Sequence, residues 1–199
     1  TISATAGDDT GSGVVVQKTS TLTNLTNSGT ISATAGDEGY GAFVRTSTLT
    51  NLTNSGTISG TAANNNGLGV NVDSSTLTNL TNSGTISANA GNNAALGVYV
   101  VGSTLTNLTN SGTISATTTN NNGLGVLVDD GSTLTNLTNS GTISGTAGDV
   151  GYGVGVTSSS TLTTLTNSGT ISGTAGDDGG VGVIVTGTST LNNLTNTGT

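Results

Sequence analysis

The side chains with the clearest capacity for chemistry are carboxylates that fall in Gly- and Asn-rich loops. Carboxylate oxygens are ligands that Ca²⁺ prefers, and a bound cation would relieve the repulsion between like charges in neighbouring repeats. Their spacing matches neither the EF-hand loop nor the glycine-rich calcium nonapeptide. A calcium site at the acidic loops is one hypothesis, and a solvated acidic rim is the other. The carboxylates are those of Asp8, Asp9, Asp37, Glu38, Asp149, Asp177 and Asp178.

Threonine supplies a second chemical pattern, because Thr-Leu-Thr recurs along the chain. In a strand the two threonines share one face, so stacked copies would present a two-file array of hydroxyl and methyl groups. Such arrays resemble the ice-binding faces of antifreeze solenoids. The alternative is that threonine is simply a favourable residue on an exposed strand face. The first copies are Thr21 and Thr23, Thr48 and Thr50, Thr76 and Thr78, and Thr104 and Thr106.

Asparagine forms the most regular polar column. In stacked coils its amides could hydrogen-bond from one coil to the next as a ladder. The alternative is that each residue only supplies turn geometry. Because Asn24 is expected merely to take a turn, a ladder predicts that Asn27→Ala costs more stability than Asn24→Ala. The column consists of Asn27, Asn54, Asn82, Asn110, Asn139, Asn167 and Asn196.

Residues typical of catalysis are missing from the sequence. It contains no His or Cys and shows no activated nucleophile with a base, so we expect neither an enzyme nor a cofactor beyond the calcium hypothesis. The net charge is −8, and Lys18 and Arg45 are the only basic residues, so nucleic acid and anionic membranes are not expected as partners. No apolar run approaches the ~20 residues of a helical membrane span.

A repeat must position all of these residues. The stretch from Thr21 to Ser32 returns almost unchanged, and the isoleucine of its Thr-Ile-Ser triplet recurs in steps of 27 to 29 residues. A fixed period of this size is typical of a solenoid. We predict one continuous array over residues 1–199, uncapped and cut from a longer chain, with repeat boundaries near 1, 30, 57, 85, 113, 142 and 170.

Each repeat contains three short pieces of alternating polarity, separated by Asn and Gly turn signals. We predict that Leu22 points inward in the first piece, and that Tyr40, Ala42 and Val44 point inward in the last. A column of Ala or Gly two residues after each isoleucine predicts a narrow cross-section. The fold class is therefore all-β: a single-stranded β-solenoid with three strands per coil and seven coils of about 28 residues. One coil alone buries too little to offset its chain entropy, so stacking is obligatory.

The pattern Leu25-x-Asn27-x-Gly29-x-Ile31 carries a resemblance that extends over the whole chain. It resembles the coils of bacterial autotransporter passengers and filamentous-haemagglutinin-type adhesins, although the period here is longer than is common in that group. The resemblance implies a right-handed β-helix and a bacterial surface or secreted fibre. The expected location is therefore extracellular or on the bacterial cell surface.

An outward column of the last strand is mostly apolar, which is unusual for a position that should face water. It contains Val15, Phe43, Tyr99, Leu127 and Ile184, and beside it Arg45 and Asp73 are expected to pair. An exposed apolar stripe often marks a lateral interface, whereas scattered surface hydrophobes are normal. The sequence thus favours a structural segment of a fibre or adhesin shaft that self-associates end to end or laterally. The alternative is a ligand-binding solenoid that binds ice or carbohydrate, with cell-surface glycans as further candidate partners.

Overall fold

The computed structural model describes residues 1–176 and 179–199. These residues form 21 β-strands in three parallel seven-stranded sheets, and no helix among them is long and apolar enough to cross a membrane. Three consecutive strands, one from each sheet, make one coil. The chain is therefore an all-β solenoid of about seven coils, as the period predicted.

Each sheet is named here after the apolar residue that its strands turn inward. The isoleucine sheet comprises β1 (Ile2–Thr5), β4 (Thr30–Ala35), β7 (Thr57–Ala62), β10 (Thr85–Ala90), β13 (Thr113–Thr118), β16 (Thr142–Ala147) and β19 (Thr170–Ala175). The valine sheet comprises β2 (Gly11–Gln17), β5 (Gly39–Arg45), β8 (Gly67–Asp73), β11 (Ala95–Val101), β14 (Asn122–Asp129), β17 (Val150–Val156) and β20 (Gly179–Val185). The leucine sheet comprises β3 (Thr21–Asn27), β6 (Thr48–Asn54), β9 (Thr76–Asn82), β12 (Thr104–Asn110), β15 (Thr133–Asn139), β18 (Thr161–Asn167) and β21 (Thr190–Asn196).

Like residues lie over like residues along the solenoid. Ile31 pairs with Ile2 on one side and Ile58 on the other, and Leu22 pairs with Leu49. The inward isoleucines, leucines and valines form one continuous core, in which side chains such as Leu77 are completely buried. Adjacent coils lie ~4.8 Å apart, the spacing of hydrogen-bonded strands.

The interior is narrow where the isoleucine sheet meets the start of the valine sheet. A Cβ placed on Gly60 would overlap the carbonyl oxygens of Leu68 and Gly39. In neighbouring coils Ala88 and Ala116 occupy the equivalent column and pack in a cluster of alanines. The backbones of two sheets therefore approach too closely for any larger side chain, which is why this column is always small.

The predicted turn at Asn24 was wrong, because Asn24 lies inside β3. The strand bends there, so that Thr23 and Asn24 both face outward while Leu22 and Leu25 both face the core. Inward and outward side chains alternate as far as the bend, where two successive residues face outward, and the alternation then starts again from Leu25. The turn signal therefore marked a bend within a hydrogen-bonded strand.

The predicted inward direction of Tyr40 was also wrong, because a second bend lies at Gly41. Ala42 belongs to the core, whereas Tyr40 packs on the outer face of the valine sheet and stacks on Phe43 with ring centroids 4.4 Å apart. A Cβ on Gly41 would lie 2.7 Å from Cγ2 of the buried Ile58. Gly41 and Ala42 thus both face inward, and only glycine fits the first of the two positions.

Candidate functional site

The asparagine column lies at the corner between the leucine and isoleucine sheets. In the second coil, Nδ2 of Asn54 donates to Oδ1 of Asn82 at 2.8 Å and to the carbonyl oxygens of Gly56 and Thr85 at 3.1 and 3.0 Å. The same side-chain contact joins each pair of neighbours in the column, at 2.7 to 2.8 Å. The structure therefore brings together Asn27, Asn54, Asn82, Asn110, Asn139, Asn167 and Asn196.

The inner ladder satisfies the hydrogen-bonding groups of amides that are buried away from water. An amide can donate and accept at once, so identical amides stacked over each other satisfy one another without water. The amide of Asn54 is completely buried, and a buried amide without partners would cost about 1–3 kcal/mol. The glycine two residues later is equally constrained, because a Cβ on Gly56 would overlap the carbonyl oxygen of Gly29. The Asn-Ser-Gly corner is therefore fixed by packing between coils.

A second ladder lies on the outer face of the leucine sheet, where the sequence predicted only turns. Nδ2 of Asn51 donates to Oδ1 of Asn24 at 2.9 Å, and the contact continues through Asn79 and Asn107 to Asn136. This outer ladder runs in the opposite direction from the inner one, since each amide donates to the preceding coil. It is exposed or half-buried, so water competes for its hydrogen bonds.

A third column, of serines, was missed by the sequence analysis. At the corner between the valine and leucine sheets, the backbone N–H of Ser47 donates to Oγ of Ser75 at 3.0 Å, and the N–H of Ser75 donates to Oγ of Ser103 at 2.9 Å. The preceding corner residue adopts positive φ, +48° at Thr46 and +50° at Ser74. The recurrent serine before each Thr-Leu-Thr was the available signal.

The threonine array lies beside the outer asparagine ladder. Thr21, Thr48, Thr76 and Thr104 are stacked in direct register along the leucine sheet. The second file, Thr23, Thr50, Thr78 and Thr106, lies between this column and the outer ladder, and all but Thr23 are half-buried. The face therefore presents threonine columns flanked by hydrogen-bonded amides.

The predicted lateral stripe lies on the outer face of the valine sheet. Val15, Phe43, Asn71, Tyr99, Leu127, Gly155 and Ile184 are stacked in register in this order. Val15 is exposed, whereas Phe43, Tyr99, Leu127 and Ile184 are half-buried.

The stripe is half-buried because a second apolar column lies next to it. Tyr40, Leu68, Leu96 and Leu124 form a cluster against which Phe43, Tyr99 and Leu127 pack. Sequence reasoning missed this outer cluster, because it placed Tyr40 and its equivalents in the interior. The Gly that follows each of these residues was the available signal, since it marks the bend that turns them outward.

Charged groups surround the outer cluster. Nε of Arg45 lies 3.4 Å from Oδ2 of Asp73, and the Tyr40 hydroxyl donates to Oε2 of Glu38 at 2.7 Å. Burial, followed by the hydrogen bond to Glu38, holds the pKa of Tyr40 well above its usual value. Burial, followed by the negative charge of Asp129, raises the pKa of Tyr99 to about 12. Both hydroxyls therefore stay protonated and act as donors at neutral pH.

The pKa of the Asp129 carboxylate is set by burial and hydrogen bonds that act in opposite directions. Burial works to raise its pKa, but hydrogen bonds from Ser158, Thr157, Tyr99 and the backbone of Asp130 together outweigh burial. The net pKa of Asp129 lies below its ordinary value. This carboxylate is therefore ionised at neutral pH and anchors the corner between the fifth and sixth coils.

The acidic loops bring no metal cluster together in the part of the chain that the structure describes. Within residues 1–176 and 179–199, no group of three or more His, Cys, Asp or Glu side chains could hold a metal ion. Asp177 and Asp178 lie outside the described residues, so calcium binding stays a prediction. In the middle coils the loops carry amides that contact each other instead, as between Nδ2 of Asn93 and Oδ1 of Asn65 at 2.7 Å.

The arrangement thus consists of three polar ladders, a threonine face and an outer apolar cluster with one salt bridge. Comparison of the chain with known protein families, with curated proteins and with solved structures finds no match. The function must therefore be argued from the geometry of these surfaces.

Proposed function

We propose that the chain is a structural repeat segment, the shaft of an extracellular fibre or adhesin at a bacterial surface, which self-associates end to end or laterally. The observation that carries this proposal is the unbroken registration of coils. Every interface between neighbouring coils repeats the backbone hydrogen bonds of three parallel sheets, and the inner ladder runs from Asn27 to Asn196 without a gap.

Such an interface suits a load-bearing shaft. The hydrogen bonds between coils run along the solenoid axis, so an axial pull loads the three sheets and the inner ladder together. A bend of the axis would have to stretch one sheet while it compressed another, and the close-packed interior resists that change. The number of coils then sets the length of the shaft, and the cross-section of the coils sets its stiffness.

The stacking of coils within the chain supports end-to-end contact. Each inner strand pairs with one strand on either side, so the contact between coils has the same form all along the solenoid. A coil of a second copy stacked in the same register would continue the three sheets and the inner ladder, and would pack against inward residues such as Leu194, which pairs with Leu165 in β18.

The test is electron microscopy with sedimentation over a range of protein concentrations. Filaments much longer than the ~34 Å of seven coils are expected, because seven rungs of ~4.8 Å give that length for one copy. Leu194→Asp should shorten the filaments, since it places a charge in the end contact. Phe43→Ser with Leu127→Ser should leave filament length unchanged and remove lateral bundles. Dispersed short rods at every concentration would contradict self-association.

A second candidate is an ice-binding solenoid, which the direct register of Thr21, Thr48, Thr76 and Thr104 favours. The test is thermal hysteresis and ice-crystal shape. If ice binds there, Thr76→Tyr with Thr104→Tyr should abolish the hysteresis, because bulky rings would break the regular array. The same change at Thr85 and Thr113 of the isoleucine sheet is the control. Absence of hysteresis in the unmodified protein would exclude this candidate.

A further inference from the structure

A groove on the outer face of the valine sheet has features that a shaft does not require. It has a volume of about 400 Å³ and is lined by Phe43, Asn71, Tyr99, Arg45 and Asp73, among others. Pockets that bind small molecules are typically concave and mostly apolar, with a few placed polar groups. This groove is lined about equally by apolar residues such as Phe43 and Tyr99 and by polar ones such as Arg45, Asn71 and Asp73, so it suits a ligand that is itself partly polar. It lies apart from the end contacts on which the shaft proposal depends.

Asn71 is the anomaly that defines the groove. It is the only polar residue of the outward column, whose other members are apolar apart from Gly155. It is only 5% exposed, yet its Oδ1 has no hydrogen-bond partner among the residues that the structure describes. The asparagines of the inner and outer ladders show that this fold readily pairs amides between coils. A leucine or valine at position 71 would fit the column without this penalty, so stability does not explain the amide.

The gap itself results from the small size of Asn71. Phe43 lies one coil before it and Tyr99 one coil after it, in direct register. Two coil steps put these rings about 10 Å apart along the axis, given ~4.8 Å per step. The space over Asn71 is therefore bounded by Phe43 on one side and by Tyr99 on the other.

The polar groups at the groove indicate the chemical class of the ligand. The Arg45 guanidinium offers donors, the Asp73 carboxylate offers acceptors, and the amide of Asn71 offers both. The charges of Glu38, Asp73 and Arg45 sum to −1, which disfavours a phosphate or another anion. Each carboxylate already has a donor, Arg45 for Asp73 and the Tyr40 hydroxyl for Glu38, so neither is left unpaired for a free cation. Aromatic rings complement the apolar C–H face of a ring whose rim carries hydroxyls.

We propose that this groove binds one neutral sugar residue of a glycan, with its hydroxyls on Asn71, Arg45 and Asp73 and its C–H face against Phe43 or Tyr99. Oδ1 of Asn71 is itself enclosed, so the sugar binds through the N–H groups of the same amide, which donate to its hydroxyls. Because the groove opens along the sheet surface, the remainder of a glycan can extend away from it into solvent.

The experiment titrates the purified chain with a panel of neutral sugars: the methyl glycosides of glucose, mannose and galactose, and N-acetylglucosamine. Tetramethylammonium and inorganic phosphate serve as the charged comparison ligands. Saturable binding of at least one sugar is expected, with a shift of the Asn71 side-chain amide resonance in NMR. That shift tests the site in the unmodified protein and needs no variant.

The matched variants are Asn71→Leu and Asn192→Leu. The first fills the groove and removes its amide, so sugar affinity should fall at least tenfold while the melting temperature stays equal or rises. The second makes the same change on the exposed outer face of the leucine sheet and should leave sugar affinity unchanged. The proposal is overturned if no sugar of the panel binds, if Asn71→Leu binds as the unmodified chain does, or if only a charged ligand binds.

Discussion

The leucine sheet and the valine sheet share a strand length of seven residues, apart from β14 with eight, and both have a parallel register and a bend near the third residue, but their outer faces differ. Strands of the leucine sheet read Thr-Leu-Thr-Asn-Leu-Thr-Asn in each of the first five coils. Strands of the valine sheet keep the glycine at the bend and the last inward valine, have Ala42 in place of the first inward valine in β5, and change almost everything that faces outward.

The difference follows from what a stacked residue finds above and below itself. An asparagine over an asparagine is satisfied, because each amide donates to one neighbour and accepts from the other. A charged or aromatic side chain gains nothing comparable from an identical neighbour, and like charges repel. The leucine sheet can therefore repeat without change, while the valine sheet is the face on which differences between coils create a distinct surface.

The largest expected effect comes from removing one amide from the middle of the inner ladder. Asn110→Ala should lower the free energy of unfolding by about 2–4 kcal/mol, because the two N–H groups of its amide, which share three acceptors, are lost and the buried Oδ1 of Asn139 loses its donor. Denaturant unfolding measures the change.

The matched variant is Asn107→Ala in the outer ladder of the same strand. It should cost about 0.5–1 kcal/mol, because water can replace the lost partner. Equal unfolding midpoints for the two variants would show that burial does not distinguish the ladders.

A methyl group at the bend of the valine sheet should have the next largest effect. A Cβ on Gly97 would lie 2.5 Å from the carbonyl oxygen of Gly125 and 2.7 Å from Cγ2 of Ile114. Gly97→Ala should therefore cost about 1–3 kcal/mol, since backbone must move.

Gly155→Ala is the control on the outer face of the same sheet. The nearest atoms there are the ends of the Leu124 and Leu127 side chains, at 3.1 and 3.2 Å, which can turn away. Its effect should stay within about 0.5 kcal/mol. A comparable loss in both variants would remove the argument that only the inward glycine is sterically required.

Replacement of asparagine by leucine should change the free energy of unfolding in opposite directions in the two sheets. Asn71→Leu should raise the free energy of unfolding by about 1–2 kcal/mol, because it removes a buried unpaired amide and adds apolar contact. Asn54→Leu should lower it by about as much as Asn110→Ala does, because Asn54 is fully hydrogen-bonded in the inner ladder. Thermal melting of both variants decides the sign, and a loss in both would refute the comparison.

The smallest expected effect is a pH dependence confined to the valine sheet. The folded pKa of Tyr99 is about 12 and its unfolded value is 10.0, so the unfolded state releases the proton first as the pH rises. Stability from Tyr99 is fully present below pH 10 and is lost between pH 10 and about 12. Tyr99→Phe should therefore show a shallower fall of melting temperature over this range. An unchanged slope would mean that Tyr99 does not titrate with unfolding.

Much of the fold followed from periodicity. The recurrence of Ile31, Leu22 and their equivalents requires that each coil cover the next, because one coil buries too little alone. The inner asparagine column could be predicted as well, because it recurs at the same period. Asn24 and Tyr40 were misplaced because each of their strands bends. At the bend the alternation of inward and outward residues shifts by one, although the strand stays hydrogen-bonded on either side. Counting every second residue along the sequence does not detect this shift.

The sequence by itself determined the stacking of coils, since identical residues at a fixed period can be buried only over one another. Tertiary structure decided which face each outward residue occupies, because that depends on the bends and on how closely the backbones of neighbouring sheets approach. The same asparagine is saturated at position 54 and unpaired at position 71 for this reason alone. What surrounds an amide is set by residues about 28 positions away, and only the folded coil brings them into contact.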